Sequence, residues 1–279
     1  MTALGMKQRK RLGSLGVNAL AWALTLIMLA PLVLILLNSF KDSRAAAQMN
    51  LALPANIQWS NYEVVIRKGK LGTTFLNSLL YSTGSVLLCT VLSAMASYVM
   101  SRNNRKLHRF LYLFIVLGIA MPVNFVTLMK VMQLTRLMDT RTGVVLLYTA
   151  IQTPFNVFLI HSFVGKIPRD IDEAALIDGA SVTRLFFTVI LPLMKPVLVT
   201  VMVLTFLNTW NEFVIPLYVL GNSNKWPMTL AVYNFFGMFF KDWNLVCADI
   251  VLTCAPVVLV YLLGQRYIVT GMTAGAVKG

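Results

Sequence analysis

The chain has 279 residues, of which 58% are hydrophobic and only 12% charged, and its formal net charge is +14 at pH 7. Its mean hydropathy of +0.74 and its few charges exclude an ordinary soluble domain, in which about 25% of residues are charged. The basic charge does not indicate nucleic-acid binding, because the cations flank apolar segments and do not form one basic face.

Six apolar segments are long enough to cross a membrane as helices, which requires about 20 residues each. Four of them contain no charged residue: 12–40, 71–101, 110–129 and 142–165. The other two, 196–220 and 244–265, contain one acid each, Glu212 and Asp249. Since membrane helices satisfy their own backbone hydrogen bonds, the sequence predicts an all-α polytopic membrane protein with six transmembrane helices.

The first segment also has a feature of secretory signals, because basic residues precede it and Ala45, Ala46 and Ala47 follow it. The apolar region of a signal peptide is only about 7 to 15 residues long, however. A retained helix is therefore the better interpretation, and cleavage would leave five spans.

The distribution of Lys and Arg predicts the orientation of the chain, because cations near span ends tend to remain cytoplasmic. With the N-terminus inside, the cytoplasmic segments are 1–16, the short basic turn Arg102–Arg109, 166–195 and 266–279. Both termini are then cytoplasmic. The sequence predicts one transmembrane domain, 1–279, with its core helices at 72–265.

The loop 166–195 contains local signals for two short helices. Asp170 is predicted to cap the first helix, with Glu173 completing a capping-box-like pair. Gly179 suits the left-handed position that ends a helix, and Ser181 can cap a second one, which later prolines interrupt. The expected structure is helix, glycine corner, helix. A surface loop that only connects two spans remains the alternative.

Three motifs in this loop carry a resemblance to a known family: E-A-A at 173–175, D-G-A at 178–180 and I-L-P at 190–192. They resemble the EAA loop of permease subunits in binding-protein-dependent ABC importers. W-N-E-F at 210–213 and the ending from Gly264 to Gly279 are similar to the carbohydrate, maltose-type branch of that family. The resemblance covers most of the chain.

The resemblance implies a permease that moves a sugar by alternating access, driven by ATP hydrolysis on other subunits. The loop would be a cytoplasmic coupling loop that docks in a cleft of the ATPase, and 273–279 would reach the ATPase dimer interface. The implied coupling residues are Glu173, Ala174, Ala175, Asp178 and Gly179. The implied partners are a second homologous permease, two copies of a P-loop ATPase, an extracytoplasmic solute-binding protein, the sugar and membrane lipid. The implied location is the cell (inner) membrane of a bacterium or archaeon.

The chain itself has no signal for a cofactor or for catalysis. Gly69-Lys70 and Gly165-Lys166 lack the rest of a phosphate-binding G-x-x-x-x-G-K-[ST] loop, so ATP and Mg are expected only on partner ATPase subunits. His108 and His161 are too few and too separated to predict a metal site. The sequence therefore predicts a non-catalytic membrane subunit that binds no metal.

Polar residues near the outer end of the fifth segment are candidates for the translocation pathway. Amide and aromatic side chains can hydrogen-bond to and stack on a polyhydroxylated ligand, although they can equally join helices. Glu212 can also be an ordinary interfacial acid. The candidates are Asn208, Trp210, Asn211 and Glu212.

The outer segment between the last two spans is rich in aromatic residues from Trp226 to Trp243. A membrane-interface anchor is its simplest interpretation. By resemblance to the maltose-type family, the region before it contacts the solute-binding protein. The candidates are Gly221, Asn222, Ser223, Asn224, Lys225 and Trp226.

Other functions remain open at this point. The cargo can be another polar solute, such as a glycerol phosphate. A membrane scaffold or enzyme that recruits a soluble partner through the loop is a second alternative. A secondary transporter is a third, although the internal repeats and midplane ionisable groups expected of one are not clear in the sequence.

Overall fold

The computed structural model describes residues 3–235 and 242–276, with side-chain surroundings for 17–235 and 242–267. All regular secondary structure in this described part is helical, as the sequence predicts. The α-helices are α1 (Ala3–Ser39), α2 (Ser43–Ala47), α3 (Ser60–Lys68), α4 (Leu71–Arg102), α5 (Lys106–Leu117), α6 (Phe125–Leu134), α7 (Arg141–Val164), α8 (Asp170–Ile177), α9 (Val182–Arg184), α10 (Leu191–Leu193), α11 (Lys195–Asn211), α12 (Val214–Val219), α13 (Met228–Ala231) and α14 (Trp243–Ala276). A π-helical segment, Leu185–Ile190, joins α9 to α10, and 3₁₀ turns lie at Ser223–Lys225 and Val232–Phe235.

The chain divides into two compact units, and residues 1–69 with 232–252 form the first. Asn61 on α3 is buried, and its Nδ2 donates to the carbonyl oxygens of Ser39 and Lys41, both at 2.8 Å. Asn244 at the beginning of α14 donates to Oδ1 of Asn61, also at 2.8 Å. One side chain therefore joins α3 to the end of α1 and to the beginning of α14.

Residues 70–231 with 253–279 form the second unit, whose centre is made by α4, α7 and α11. Asn156 on α7 is buried between them, and its Nδ2 donates to Thr205 Oγ1 on α11 at 2.9 Å and to Cys89 Sγ on α4 at 3.1 Å. Such interhelical hydrogen bonds stabilise helix contacts where the surroundings are apolar. Gly84 brings α4 close to α7, since a Cβ there would lie 3.2 Å from a Val145 methyl carbon.

Four helical segments in the described residues are long and apolar enough to cross a membrane: Val17–Ser39, Leu71–Arg102, Arg141–Val164 and Trp243–Tyr267. A fifth is added only if Val182–Leu193 and Lys195–Asn211, which meet at 76°, count as one broken span. The six continuous spans predicted from hydropathy are therefore not all present. The third and fifth are broken.

The predicted third span, 110–129, is interrupted because α5 ends at Leu117 and α6 begins at Phe125. Pro122 disfavours helical geometry at the residue before it. Asn124 then caps α6, with its Oδ1 accepting the Thr127 N–H at 3.0 Å. A proline and a capping residue thus divide an apolar segment that hydropathy treats as uniform.

The predicted fifth span, 196–220, is interrupted at Glu212. Helix α11 ends at Asn211, Glu212 has an extended backbone, and α12 begins at Val214. The Glu212 Oε1 accepts the N–H groups of Val214 at 2.8 Å and Ile215 at 3.0 Å. The acid lies just before Phe213, the N-cap of α12, and accepts the first two N–H groups of this short helix instead of lying within a continuous one.

Candidate functional site

Residues 170–193 form the helix, glycine corner and helix that the sequence predicts. Gly179 has φ +80°, the left-handed conformation that glycine adopts without strain. Its N–H donates to Leu176 O, and the Ala180 N–H donates to Ala175 O, which together form the Schellman end of α8. The Ser181 Oγ accepts the Arg184 N–H at 3.3 Å and caps the second helix.

The beginning of α8 differs from the prediction. Arg169 occupies the N-cap position, and no side-chain cap is seen there among the described residues. Asp170 is instead the first helical residue, so the predicted cap at Asp170 is wrong. Asp170, Asp172 and Glu173 all lie in the first turn, where acids interact favourably with the helix dipole.

Helix α8 has one exposed and one buried face. The exposed face includes Glu173, Ala174, Asp178 and Gly179 of the predicted coupling residues. Ala175 is half-buried and packs with Ile167 and Ile171 against a core cluster, so it faces inward. Two residues that the sequence analysis did not single out, Leu176 and Ile177, are 49% and 85% exposed. The hairpin thus presents apolar side chains on a polar loop, as docking surfaces do.

The buried face of α8 is joined to the end of α4 by an ion pair. Asp172 Oδ2 lies 2.7 Å from Arg102 Nη2, and the two side chains are only 12% and 14% exposed. Tyr98 Oη donates to the other carboxylate oxygen at 2.9 Å. Arg102 Nη1 also donates to Ile167 O at 3.1 Å, just before α8. These contacts couple the position of the hairpin to that of α4.

The predicted translocation residues do not share one surface. Trp210 is 1% exposed, donates from Nε1 to Thr253 O at 3.1 Å, and stacks on Phe206, which makes it part of the packing between α11 and α14. Asn211 donates to Leu207 O of its own helix. Glu212 accepts the first two N–H groups of α12, and Asp249, the other acid of the predicted spans, is 1% exposed.

Asn208 lies on a cavity of about 500 Å³. Its Nδ2 donates to Oε1 of Gln152 on α7 at 3.3 Å, and the cavity wall continues along the break between α5 and α6. The lining residues are Gly118, Ile119, Met121, Val123, Ala150, Ile151, Gln152, Pro154, Phe155 and Asn208. Two amides on a largely apolar wall with one aromatic ring can bind a polar solute. Gln152 was not singled out from sequence.

The loop 221–226 is held in place by Asp139. The Asp139 Oδ1 accepts the N–H groups of Gly221 at 3.2 Å and Asn222 at 3.3 Å, and Oδ2 lies 2.8 Å from Lys225 Nζ. Asp139 itself has φ +53°, a left-handed conformation that Asp adopts more readily than most residues with a side chain. The hydrogen bond from Lys225 is the main cause that lowers the pKa of Asp139 below its ordinary value.

Asn77 on α4 supports the same loop from the other side. Its Nδ2 donates to the carbonyl oxygens of Asn224 at 2.9 Å and Trp226 at 3.0 Å. Arg141 Nε in turn donates to Asn77 Oδ1 at 3.0 Å. Gly221, Asn222 and Asn224 are exposed, whereas Lys225 and Trp226 are partly buried. Of the predicted contact residues, the first group is therefore accessible at the surface and the last two stabilise the loop.

Two predictions fall on parts of the chain outside the described residues. The tail 273–279 includes 277–279, and the side chains of 268–276 are likewise not described. The aromatic segment Trp226–Trp243 includes 236–241. Within the described ranges, there is no group of three or more His, Cys, Asp or Glu side chains that could hold a metal ion.

Comparisons with known proteins agree on one family. The model of the family described as "Binding-protein-dependent transport system inner membrane component" matches residues 87–274. The chain is similar to the probable starch degradation products transport system permease protein AmyC of Thermoanaerobacterium thermosulfurigenes, with 33% identity over 91% of this chain and 93% of that protein. It is also similar to the diacetylchitobiose uptake system permease protein NgcG of Streptomyces coelicolor, with 32% identity over 94% and 88% of the two chains.

A solved structure has a similar fold. It is the crystal structure of a bacterial ABC transporter involved in the import of the acidic polysaccharide alginate. The TM-score is 0.83 with 22% identity, and the match covers 93% of this chain and 97% of that one.

Proposed function

The chain belongs to the family of binding-protein-dependent transport system inner membrane components, and on this premise we propose that it is the permease subunit of an ABC importer that moves a sugar or oligosaccharide inward. The relatives' names, which refer to starch degradation products, diacetylchitobiose and melibiose, raffinose and stachyose, support a saccharide as the cargo. The structural observation that carries the proposal is the exposed α8 hairpin anchored to α4 through Arg102 and Asp172.

The proposed topology places both termini and the α8 hairpin in the cytoplasm of a bacterial or archaeal cell, in line with the distribution of Lys and Arg. The chain crosses the membrane six times, with the third crossing formed by α5 and α6 and the fifth by α11 and α12. Broken helices are tolerated within a membrane where they line a cavity or are buried in protein. The break between α5 and α6 lines the 500 Å³ cavity.

The hairpin is the proposed docking site for the ATPase. Glu173, Ala174, Asp178 and Gly179 would contact a cleft of that subunit, together with the exposed Leu176 and Ile177. Two ATPase copies would bind ATP and Mg, and a second related permease would complete the complex. Because α8 is tied to α4 through Asp172, Arg102 and Tyr98, movement of the docked helix would displace α4 and change access to the cavity.

The loop 221–226 is the proposed contact for the solute-binding protein. Its exposed residues, Gly221, Asn222 and Asn224, lie at the end opposite to the hairpin in the proposed topology. Asp139 and Asn77 fix the loop before any partner arrives, which lowers the ordering cost of binding. Solute released from the binding protein would then reach the cavity, where Gln152 and Asn208 offer amide hydrogen bonds.

Reconstitution of the complex tests this proposal. The tagged chain is extracted in mild detergent, co-purifying subunits are identified by mass spectrometry, and the complex is placed in vesicles with its binding protein. Uptake is measured with labelled malto-oligosaccharides, chitobiose, raffinose, arabino-oligosaccharides and glycerol 3-phosphate. We expect a P-loop ATPase, a second permease and ATP-dependent uptake of a saccharide. Uptake of glycerol 3-phosphate alone would contradict the cargo, and recovery of the chain without an ATPase would contradict the importer.

A further inference from the structure

We propose that Lys70 and Arg141 form a cationic rim around the loop 221–226, and that this rim binds carboxylate groups on the solute-binding protein. Because the proposed function makes this loop the contact for that protein, the rim rests on that function and adds the chemistry of the partner surface. Lys70 directly precedes α4, and Arg141 is the first residue of α7. Both residues are exposed.

Both cations contact the same exposed residue of the loop, Asn224. Lys70 Nζ donates to Asn224 Oδ1 at 2.8 Å, and Arg141 Nη2 donates to Asn224 O at 3.4 Å. Arg141 is fixed further by Asn77, whose Oδ1 accepts from Nε at 3.0 Å. The two positive charges are therefore held close together at one edge of the loop, with only Asn224 between them.

The cations of the rim are not neutralised by an acid of the chain. In the described part of the chain, neither Lys70 nor Arg141 forms an ion pair. Their partners are neutral oxygens of amide, carbonyl and hydroxyl groups. Asp139, the acid that supports the loop, is already paired with Lys225 at 2.8 Å. The rim therefore keeps two positive charges that can attract a carboxylate.

The stability of the two helices does not explain these cations. The N-terminal end of a helix carries partial positive charge, so an acid is favoured there and a cation is not. Arg141 occupies the first position of α7, and Lys70 occupies the N-cap of α4 with φ +51°, in the left-handed region. A residue with a short polar side chain is the usual N-cap. Positive charge at both places is consistent with a contact outside the chain.

The surroundings of the rim favour a protein surface over lipid headgroups. A lipid contact combines cations with exposed apolar side chains. The loop between the two cations instead exposes Gly221, Asn222 and Asn224, and none of its large hydrophobic side chains is exposed. The loop is also fixed in advance by Asp139 and Asn77, which lowers the cost of binding a folded partner.

Association of the purified solute-binding protein with the complete transporter in nanodiscs tests the rim. The association rate constant is measured at about 10 mM and about 1 M ionic strength, where the Debye length is roughly 30 Å and roughly 3 Å. We expect Lys70→Gln with Arg141→Gln to slow association about tenfold at low salt, because opposite charges steer the encounter. At high salt this variant should associate at the same rate as the unaltered complex. Lys70→Arg with Arg141→Lys should associate normally at both, which separates lost charge from lost folding.

Lys130→Gln with Arg136→Gln is the matched control. Lys130 lies on α6 and Arg136 shortly after it, both are exposed, and neither donates a side-chain hydrogen bond to the loop within the described ranges. This variant should associate like the unaltered complex. Equal slowing in the control, or a slowing that persists at high salt, would overturn the proposal.

Cross-linking with a carbodiimide identifies the partner group, because this reagent joins a carboxylate to an amine that contacts it. We expect an amide between Lys70 and an Asp or Glu of the solute-binding protein, identified by mass spectrometry of the digested complex. Lys70→Arg should remove this link and keep association, since a guanidinium does not react. Absence of the link in the unaltered complex, or an equal yield from Lys130, would contradict the proposal.

The same measurements separate this proposal from the proposed function. If the unaltered complex does not bind the solute-binding protein, the contact itself is wrong. If the unaltered complex binds and the charge-removing variant binds equally fast at low salt, only the rim is wrong. Normal association combined with a loss of bound phosphatidylglycerol, counted by native mass spectrometry, would assign Lys70 and Arg141 to lipid.

Discussion

Arg102 and Asp172 lie 2.7 Å apart at the junction of α4 and α8, and Tyr98 donates a hydrogen bond to the same carboxylate. The pair links the last residue of a membrane helix to the first turn of the exposed hairpin. A short helix docked on a partner can move a membrane helix only if the joint between them does not bend. The ion pair and the tyrosine hydroxyl provide that joint.

Removing one member of this pair should destabilise the joint and impair transport. Breaking a buried ion pair typically costs about 3–5 kcal/mol, because the remaining charge stays uncompensated. We therefore expect Asp172→Asn and Arg102→Met each to lower the thermal unfolding temperature of the complex and to reduce ATP-dependent uptake. The double variant should lose less than the sum of the two, which a double-mutant cycle measures.

Arg67 and Glu63 provide the matched control for this cycle. They form an ion pair of similar length, 2.9 Å, but their side chains are 79% and 62% exposed. Pairs of this kind contribute little to stability. Glu63→Gln should therefore leave both readouts unchanged, and additive effects of the two substitutions at Arg102 and Asp172 would contradict the proposed joint.

Replacing Gly179 with Val should separate ATP hydrolysis from transport. The left-handed conformation at φ +80° costs residues with a side chain about 1–2 kcal/mol, and a β-branched residue adopts it least readily. The corner should therefore open and change the direction of α8. We expect less transport per ATP hydrolysed, measured as the ratio of uptake to phosphate release in vesicles.

Gly72 is the control for this substitution. Gly72 lies in α4, and an added Cβ would meet no described atom within 4 Å there, as at Gly179. Unlike Gly179, Gly72 does not have a positive φ. Gly72→Val should therefore keep the ratio unchanged. Because space is open at both positions, a normal ratio in Gly179→Val would show that backbone conformation at the corner does not matter for coupling.

The loop 221–226 should loosen in acid through Asp139. Lys225 lowers the pKa of this carboxyl in the folded protein below the ordinary value of 3.8. The ionised Asp139 therefore stabilises the loop fully above the pKa that this carboxyl has in the unfolded protein. This stabilisation is lost as the pH falls through the lower pKa that Asp139 has in the folded protein. Hydrogen exchange at Gly221 and Asn222, relative to amides in α7, should accelerate only in that acidic range. At neutral pH the loop should remain protected.

Two variants separate the charge from the hydrogen-bond acceptor. Asp139→Asn keeps an oxygen for the two N–H groups but removes the titration, so protection should become independent of acid. Asp139→Ala removes the acceptor and should expose both amides at every pH. An acid-sensitive loop in Asp139→Asn would assign the effect to another group.

Gln152 and Asn208 should affect solute affinity more than complex assembly. Their amides lie 3.3 Å apart on the cavity wall, so leucine at either position removes donors and acceptors without a large change in volume. We expect Gln152→Leu and Asn208→Leu to raise the solute concentration for half-maximal uptake by about tenfold, the effect of losing roughly one or two hydrogen bonds. Uptake in vesicles measures this.

Thr83 is a suitable control, since its exposed hydroxyl on α4 bonds only to Leu79 O of the same helix among the described residues. Thr83→Val should leave half-maximal uptake unchanged. Unaltered affinity in both amide variants, with normal binding-protein stimulation of the ATPase, would place solute recognition on the other permease.

The sequence predicts the hairpin better than it predicts the spans, for a physical reason. The glycine corner depends on local contacts, because Gly179 and Ser181 form their hydrogen bonds with residues only three positions away. The breaks after Leu117 and at Glu212 also have local causes, but an average over 20 apolar residues conceals Pro122 and Asn124. The sequence leaves Glu212 as either a translocation candidate or an interfacial acid, and it does not reveal that the carboxylate accepts two backbone N–H groups.

The contacts that organise the candidate site are long-range, and no local pattern predicts them. Lys225 reaches the carbonyl of Asp139 across 86 positions of the chain, and Arg102 meets Asp172 only when α4 and α8 pack. Trp210 illustrates the same limit, since the sequence leaves an aromatic beside two amides as either a sugar contact or a helix contact, and the fold buries it in helix packing. The chemical type of a side chain can be read from the sequence, but whether that side chain faces a cavity or the packed interior depends on the fold.

The π-helical segment Leu185–Ile190 lets the hairpin hold one additional residue without changing its direction. A π-helical turn contains one residue more than an α-helical turn. Deleting a single residue between 185 and 190 should therefore close the segment into a regular α-helix and leave the direction of the exposed face of α8 nearly unchanged. Related permeases should accordingly tolerate a difference of one residue along this stretch, where a deletion within a regular α-helix would rotate the preceding part by about 100°.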